Sequence, residues 1–91
     1  MSFSRETTVE NAKNDLAARL NISASEIVEK GVFDKDFPDM SLGAPVADEM
    51  SAQMISSGWQ IMLDAGKAYE YRADKYQLRL YDFEGENYIV G

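Results

Sequence analysis

The stretch that decides the fold is "WQIMLDAGKAYEYRADKYQLRLYDF", residues 59–83. Apolar and polar residues alternate within "WQIMLD", "AYEYRA" and "LRLYDF", and this period of two is typical of strands with one buried face. The connections "DAGK" and "ADKYQ" are short, and Gly66 can adopt the positive φ that a tight turn requires. Residues 59–83 are therefore predicted to form an antiparallel meander of three strands.

The aromatic side chains of residues 59–83 and the methionines from Met40 to Met62 have two interpretations each. Trp59, Tyr69 and Tyr71 alternate with polar neighbours, so we interpret them as core, although Trp and Tyr also dominate binding hot spots. Tyr81 has the other parity and is a candidate for exposure. The methionines are interpreted as filler beneath a loop in preference to an adaptable contact surface, and they are Met40, Met50, Met54 and Met62.

The first half predicts one helix and one more strand. Apolar residues recur at helical spacing in "TTVENAKNDLAARLN", which predicts a helix at about 8–20 with Thr7 and Glu10 as its capping box. "SASEI" repeats the capping pattern over a single turn, and "IVEKGVF" predicts a strand with a bulge or close packing at Gly31. The fold class is α+β, with one N-terminal helix packed on an antiparallel sheet of about four strands.

Between these halves lies a long segment, about residues 34–58, that contains "FPDMSLGAP". We predict an ordered loop packed on the sheet, because such long connections are usually functional or disordered and this one carries its own anchors. The anchors are Phe37, Pro38, Leu42, Gly43 and Pro45. Its polar tip and one strand residue are the candidate partner-binding residues, namely Asp39, Met40, Ser41 and Tyr81.

The sequence patterns of two segments each fit two structures. Residues 46–55 favour a short helix over an extended arm, because Ala47, Met50 and Met54 form a helical stripe. The tail, residues 84–91, can form an edge strand or hang free.

Composition limits the function more than it defines it. A chain of 91 residues predicts a single domain, 1–91, and the absence of Cys and His removes disulfides, thiolate zinc sites and the commonest acid–base catalyst. The net charge of −7 argues against nucleic acid as a partner. Apolar runs are too short to span a bilayer and the N-terminus lacks a secretory h-region, so we expect a cytoplasmic protein without membrane contact.

The motifs that carry chemistry are missing. "DKDFPD" has Asp34, Asp36 and Asp39, but Pro38 and Pro45 fall on ligand positions of a calcium loop. "SLG" lacks the glycines of a nucleophile elbow, and "DAGKAY" lacks the spacing of a phosphate loop. We therefore predict no enzyme, and no catalytic, cofactor-binding or metal-binding residue.

The order "AKNDLAARLNISASEI…FPDMSLGAP…GWQIMLDAGKAYEYRAD" resembles a bacterial small-domain family of unassigned function. Its members, often exported or lipid-anchored, carry a "WPD-S-SLGCP" loop followed by "GY-I-L…G..Y.YH.D" strands. The helix-then-meander order also looks like the PepSY type of domain, which resembles inhibitory and interaction modules.

The chain departs from that pattern at the cysteines and at the histidine. Ala44 stands at the Cys position of the loop, no Cys occurs near Tyr81, and Arg72 replaces the His. If those cysteines form a disulfide in exported relatives, this variant has lost both ends, which fits a reducing compartment. Something other than a covalent bond must then hold the loop.

From these observations the predicted function is a small non-catalytic module that binds another protein. The alternatives are an acidic inhibitor or nucleic-acid mimic and a small-ligand carrier with a pocket between helix and sheet. A homodimer through a sheet edge is also open, because the apolar tail "NYIVG" can pair across it.

Overall fold

The computed structural model describes residues 3–91. One helix precedes five strands joined in the antiparallel order β1-β2-β3-β4-β5. The elements are α1 Arg5–Leu20, a 3-10 turn Ala24–Glu26, β1 Val28–Phe37, β2 Ser56–Asp64, β3 Ala68–Ala73, β4 Leu78–Phe83 and β5 Glu86–Ile89. The α+β prediction is confirmed, with five strands where about four were expected.

Helix α1 begins one turn earlier than predicted. Ser4 is the N-cap, since its Oγ accepts from the Thr7 N–H at 3.2 Å while the Thr7 hydroxyl oxygen accepts from the Ser4 N–H at 2.8 Å. The predicted box of Thr7 and Glu10 is therefore wrong, because the upstream serine offers the first free donors their acceptor. The second box is confirmed, with Ser23 capping the 3-10 turn and Glu26 closing it.

The core lies between α1 and one face of the sheet. Ala12 and Leu16 on the helix are fully buried against the side chains that alternate inward along the strands. Those strand residues are Ile61, Leu63, Tyr71, Ala73, Leu78 and Leu80. The core interpretation of Tyr71 is confirmed, and Trp59 and Tyr69 pack half-buried at the margin of the same cluster. Tyr71 also donates its hydroxyl hydrogen to Asp15 Oδ2 at 2.7 Å, which satisfies the one polar atom that it takes into the core.

The tail contributes the fifth strand. Glu84 and Gly85 have φ of 54° and 85°, which is the backbone that a two-residue type I′ hairpin requires at both central positions. This turn sends β5 back along β4, with Tyr88 opposite Leu80. The tail that was predicted as edge strand or free chain is therefore paired, and β5 lies at the edge of the sheet.

Strands β1 and β2 are longer than predicted, so the connection between them is 38–55 and not 34–58. The predicted irregularity at Gly31 is confirmed by a register shift between Glu29 and Gly31. Gly31 is also closely packed, since an added Cβ would lie 2.5 Å from the Phe33 ring, and Gly58 is packed more tightly, with an added Cβ 2.0 Å from the carbonyl oxygen of Ala73. Only glycine permits β2 and β3 to approach so closely at this end.

Residues 46–55 form no helix, so that preference was wrong. Asp48 has a φ of 64°, which a helix cannot accommodate, and the Glu49 side chain is drawn onto the sheet by an arginine. The following residues have no regular secondary structure before β2, and the Ala52 carbonyl accepts from the Met40 N–H at 3.0 Å. An isolated helical stripe three residues long cannot compete with these tertiary contacts.

Candidate functional site

The first half of the 38–55 connection covers the sheet face opposite α1. Phe37, Leu42 and Ala44 are buried there, although none belongs to the helix-side core. Pro38 and Pro45, two of the predicted anchors, are exposed, and the buried apolar residues of the loop itself are Leu42 and Ala44. The molecule thus has three layers: helix, sheet and the segment 38–49, which we call the covering loop.

Asp39 organises the covering loop from within. Its Oδ1 accepts from the Ser41 N–H at 2.9 Å, the Ser41 hydroxyl at 2.6 Å and the Gly43 N–H at 3.1 Å. The Ser41 hydroxyl bond is the largest of the causes that hold the pKa of Asp39 below its usual value. Leu42 and Gly43 both have positive φ, 61° and 65°, so the loop closes tightly around this carboxylate.

Arg72 on β3 binds the loop from below. Its Nη1 donates to the carbonyl oxygens of Leu42 at 3.0 Å and Gly43 at 3.1 Å, while its Nε donates to Glu70 at 2.7 Å. The guanidinium plane lies 3.7 Å from the ring centre of Tyr81, a close cation–π stack. A Cβ at position 43 would come within 2.8 Å of Arg72 Nη1, so this attachment also requires glycine there.

Arg79 on β4 makes the second attachment and is only 4% exposed. Its two terminal nitrogens donate to the two carboxylate oxygens of Glu49 at 2.5 Å each, and Nη1 also donates to the Ala44 carbonyl at 3.1 Å. The hydrogen bond from Arg79 is the main cause that lowers the pKa of Glu49. A bidentate pair of this kind combines charge with fixed geometry.

Two amide side chains complete the set of attachments. Gln77 Nε2 donates to the Met40 carbonyl at 2.7 Å, and Asn87 Nδ2 donates to the Pro45 carbonyl at 2.9 Å. With the arginines, the sheet side therefore satisfies the main-chain carbonyls of residues 40, 42, 43, 44 and 45. Buried backbone acceptors need such partners, so these donors explain how the loop is held without a covalent bond.

The two arginines face each other directly across β3 and β4. Like charges in this position repel, and each is offset by its own carboxylate, Glu70 for Arg72 and Glu49 for Arg79. The covering loop is thus part of an ion network that becomes neutral only when Glu49 is in place.

The candidate partner-binding residues are separated by this arrangement. Ser41 is buried at 1% exposure, and Asp39 is half-buried with its Oδ1 engaged inside the loop. Tyr81 is half-buried beneath Arg72. Met40 alone of the four retains a large exposed side chain.

Met40 borders a groove at the end of the sheet, where β2 begins and β3 turns into β4. This apolar groove has a volume of about 510 Å³. Its lining residues are Met40, Met54, Ile55, Ser56, Ser57, Trp59, Asp74, Lys75 and Tyr76. Ile55 is 73% exposed and Tyr76 is 69% exposed, and Met50, which lies nearby in the chain, is almost wholly exposed. The interpretation of these methionines as filler was therefore wrong for Met40, Met50 and Met54.

The groove has a fixed frame at the β3–β4 turn. Asp74 is buried, and its Oδ1 accepts from the N–H groups of Tyr76 at 2.7 Å and Gln77 at 2.9 Å. Its Oδ2 accepts from the Ser56 hydroxyl at 3.0 Å. This one carboxylate joins the turn to the start of β2, so it holds Tyr76 and Ile55 on the same side of the groove.

Sequence reasoning missed this groove because its residues come from three separate segments and none carries a motif. The available signal was the run "MSAQMISS", whose apolar residues lack a strand period and fit only a short helical stripe that ends at the serines. Among residues 3–91, no set of three acidic side chains is placed to hold a metal ion. No helix in the described part of the chain has the length and apolar character to cross a membrane.

Comparison with known proteins gives one match. Residues 9–80 match a family described as Domain of unknown function (DUF8738). No curated protein and no solved structure matches the chain. The chain belongs to the DUF8738 family, and the matched range runs from α1 through the covering loop to β4.

Proposed function

We propose that this member of the DUF8738 family is a small non-catalytic module that binds another protein through the apolar groove. The observation that carries the proposal is the concentration of exposed apolar side chains there, with Met54, Ile55 and Tyr76 all more than half exposed around one concave surface. Exposed apolar patches that are larger than scattered single residues usually mark contact sites. Tyr and Met are also side chains that interfaces favour.

A rigid support strengthens this interpretation. Met40 is held through its N–H by Ala52 and through its carbonyl by Gln77, so the covering loop fixes one wall of the groove. Asp74 fixes the opposite wall through its three hydrogen bonds. A surface that is already ordered loses little conformational entropy when a partner binds.

The chemistry of the groove favours binding over catalysis. Its only buried carboxylate, Asp74, uses both oxygens for structural hydrogen bonds, and its serine Ser56 donates to that same carboxylate. The chain supplies no His or Cys that could act as base or nucleophile. Resemblance to PepSY-type interaction domains is in keeping with the same proposal.

We further propose that the protein works in the cytoplasm. The covering loop is attached by arginine and amide side chains, an arrangement that needs no oxidising environment. The carboxylates Asp39, Glu49 and Glu70 are engaged in these internal contacts, which leaves fewer acids for a nucleic-acid mimic.

The test is cross-linked capture from source lysate, quantified by mass spectrometry. A double variant, Ile55→Ser with Tyr76→Ser, removes apolar surface from the groove, and Val28→Ser with Ile89→Ser removes exposed apolar surface elsewhere. We expect the groove variant to lose a specific partner that the parent and the control both retain. Equal recovery by all three proteins, with thermal unfolding showing each one folded, would refute the proposal.

A further inference from the structure

The apolar groove continues into a second concavity along the edge strand β1. This second concavity is lined by Asp34, Lys35, Asp36, Ser57, Gly58 and Trp59. Ser57 and Trp59 line both, so the two form one continuous surface. The first part is mainly apolar, and the second carries two carboxylates and Lys35.

The strand register determines which side chains share this surface. Asp34 lies opposite Trp59, and Asp36 lies opposite Ser57, in the β1–β2 pair. Directly paired residues project from the same face of a sheet, so both carboxylates flank the Trp59 ring. Lys35 projects from the other face, where its ammonium lies 5.9 Å from the Phe37 ring.

These two carboxylates are open to solvent and to a ligand. Asp34 and Asp36 are exposed, and within residues 3–91 their one side-chain hydrogen bond is the one that Asp36 accepts from the Ser57 hydroxyl at 2.7 Å. The ion pairs among residues 3–91 use other acids, namely Asp15, Glu29, Glu49 and Glu70. The acidic end of the surface thus has unneutralised charge beside an aromatic ring.

We infer that the partner presents an extended segment in which an apolar side chain is followed closely by Lys or Arg. The inference rests on the proposed function and adds the chemistry of the partner. The apolar side chain lies against Ile55 and Tyr76, and the cation lies over Trp59 within reach of Asp34 and Asp36. A cation held by carboxylates and an indole face combines charge attraction with cation–π contact.

The two ends of the surface also differ in sign, which gives the bound segment a direction. Lys75 is the exposed charge of the apolar groove, whose carboxylate Asp74 is buried and hydrogen-bonded, whereas the second concavity holds two exposed carboxylates and one lysine, Lys35, and so keeps a net negative charge. A cationic residue placed at the Lys75 end would meet repulsion, so the segment binds with its basic end toward β1. The overall charge of −7 adds attraction at long range but no direction.

The experiment uses three fluorescein-labelled synthetic peptides with one Phe-Leu centre. They differ only in the two residues that follow the centre, which are arginines, glutamines or glutamates. Fluorescence anisotropy with the full chain measures Kd at low and high salt. We expect the arginine peptide to bind about tenfold or more tighter than the glutamine peptide, and this advantage to shrink as salt rises.

Two double variants, each of which removes two negative charges, distinguish attraction by the acidic end from attraction by the general charge of the protein. Asp34→Asn with Asp36→Asn should abolish the preference for arginine, whereas Glu10→Gln with Asp48→Asn, which removes two exposed acids outside the surface, should keep it. The fold of each variant is checked by thermal unfolding. An equal loss in both double variants would overturn the inference, because general attraction would then explain the preference.

The remaining outcomes distinguish this inference from the proposed function. If the arginine and glutamine peptides bind equally to the parent, the cationic requirement is wrong while apolar binding stands. If no peptide binds, the inference is wrong, and the proposed function is judged by the capture experiment alone.

Discussion

Removal of Glu49 should destabilise the protein more than removal of any exposed acid, because Arg79 would be left largely buried. In Glu49→Ala, Arg79 loses two charge-assisted hydrogen bonds of 2.5 Å but keeps the Ala44 carbonyl and Gln77. A hydrogen bond to a charged group contributes roughly 1.5–3 kcal/mol, and the loss of one partner of a buried pair costs about 3–5 kcal/mol.

The expected cost is at the lower end of these ranges. The Glu49 side chain is 21% exposed, so water can reach the vacated site and solvate part of the guanidinium. We therefore expect a loss of about 2–3 kcal/mol for Glu49→Ala. In a domain of this size that corresponds to a fall in Tm of roughly 8–20 °C.

Urea unfolding at neutral pH, followed by circular dichroism, measures this cost. The matched control is Glu29→Ala, because Glu29 pairs with Lys13 at 3.9 Å on the surface and should contribute less than about 1 kcal/mol. A double-mutant cycle with Arg79→Met should give a coupling energy of about 1–3 kcal/mol. If Glu49→Ala and Glu29→Ala are equally stable, the buried ion pair does not hold the covering loop and the reasoning fails.

Three further predictions concern Asp39 in the covering loop, Gly58 on β2 and the dependence of stability on pH. Asp39→Ala removes the acceptor of three donors and should cost about 1–3 kcal/mol in urea unfolding; a cost below about 0.5 kcal/mol would contradict this. Gly58→Ala should cost about 3 kcal/mol or more because its Cβ would collide with Ala73, and a Tm unchanged in calorimetry would show the contact to be relaxed. Because their pKa values are lowered in the folded state, Asp39 and Glu49 stabilise it above their ordinary values of 3.8 and 4.5, and stability should fall as pH drops below these values toward the lowered ones. The parent should show this loss by urea unfolding between about pH 6 and about pH 3, and Glu49→Gln should show less of it.

The sheet was predictable because each strand of the meander carries its own signal. The alternation in residues 59–83 depends only on local sequence and on which face is buried, and the register of β2, β3 and β4 follows from short turns. Strand β5 was less visible because its four residues lack alternation and its turn uses Glu84 in a backbone conformation that glycine or asparagine usually supplies.

The contacts that hold the covering loop could be predicted from the sequence only in part. Burial of Phe37 and Leu42 could be predicted from their apolar character beside prolines and a glycine. The side chains that donate hydrogen bonds to the loop could not be predicted. Arg72 and Arg79 are about 30 residues away and lie on the polar face of the predicted strands. An arginine on that face is ordinarily solvated, and only the folded position of the loop converts it into a buried attachment.

The attachments and the groove meet at Met40 and at Gln77, which donates both to the Met40 carbonyl and to Asp74, while the rest of the groove is held separately. Met40 belongs to the covering loop, whereas Ile55 and Tyr76 are held by β2 and by Asp74, which do not depend on Glu49. Loosening the loop through Glu49 should therefore displace one wall of the groove and leave the other in place. A partner that contacts mainly Ile55, Tyr76 and the acidic edge should bind the Glu49→Ala protein with only a modest loss of affinity. A partner that encloses Met40 should lose most of its affinity, so the same variant that tests the ion pair also shows which wall carries the binding energy.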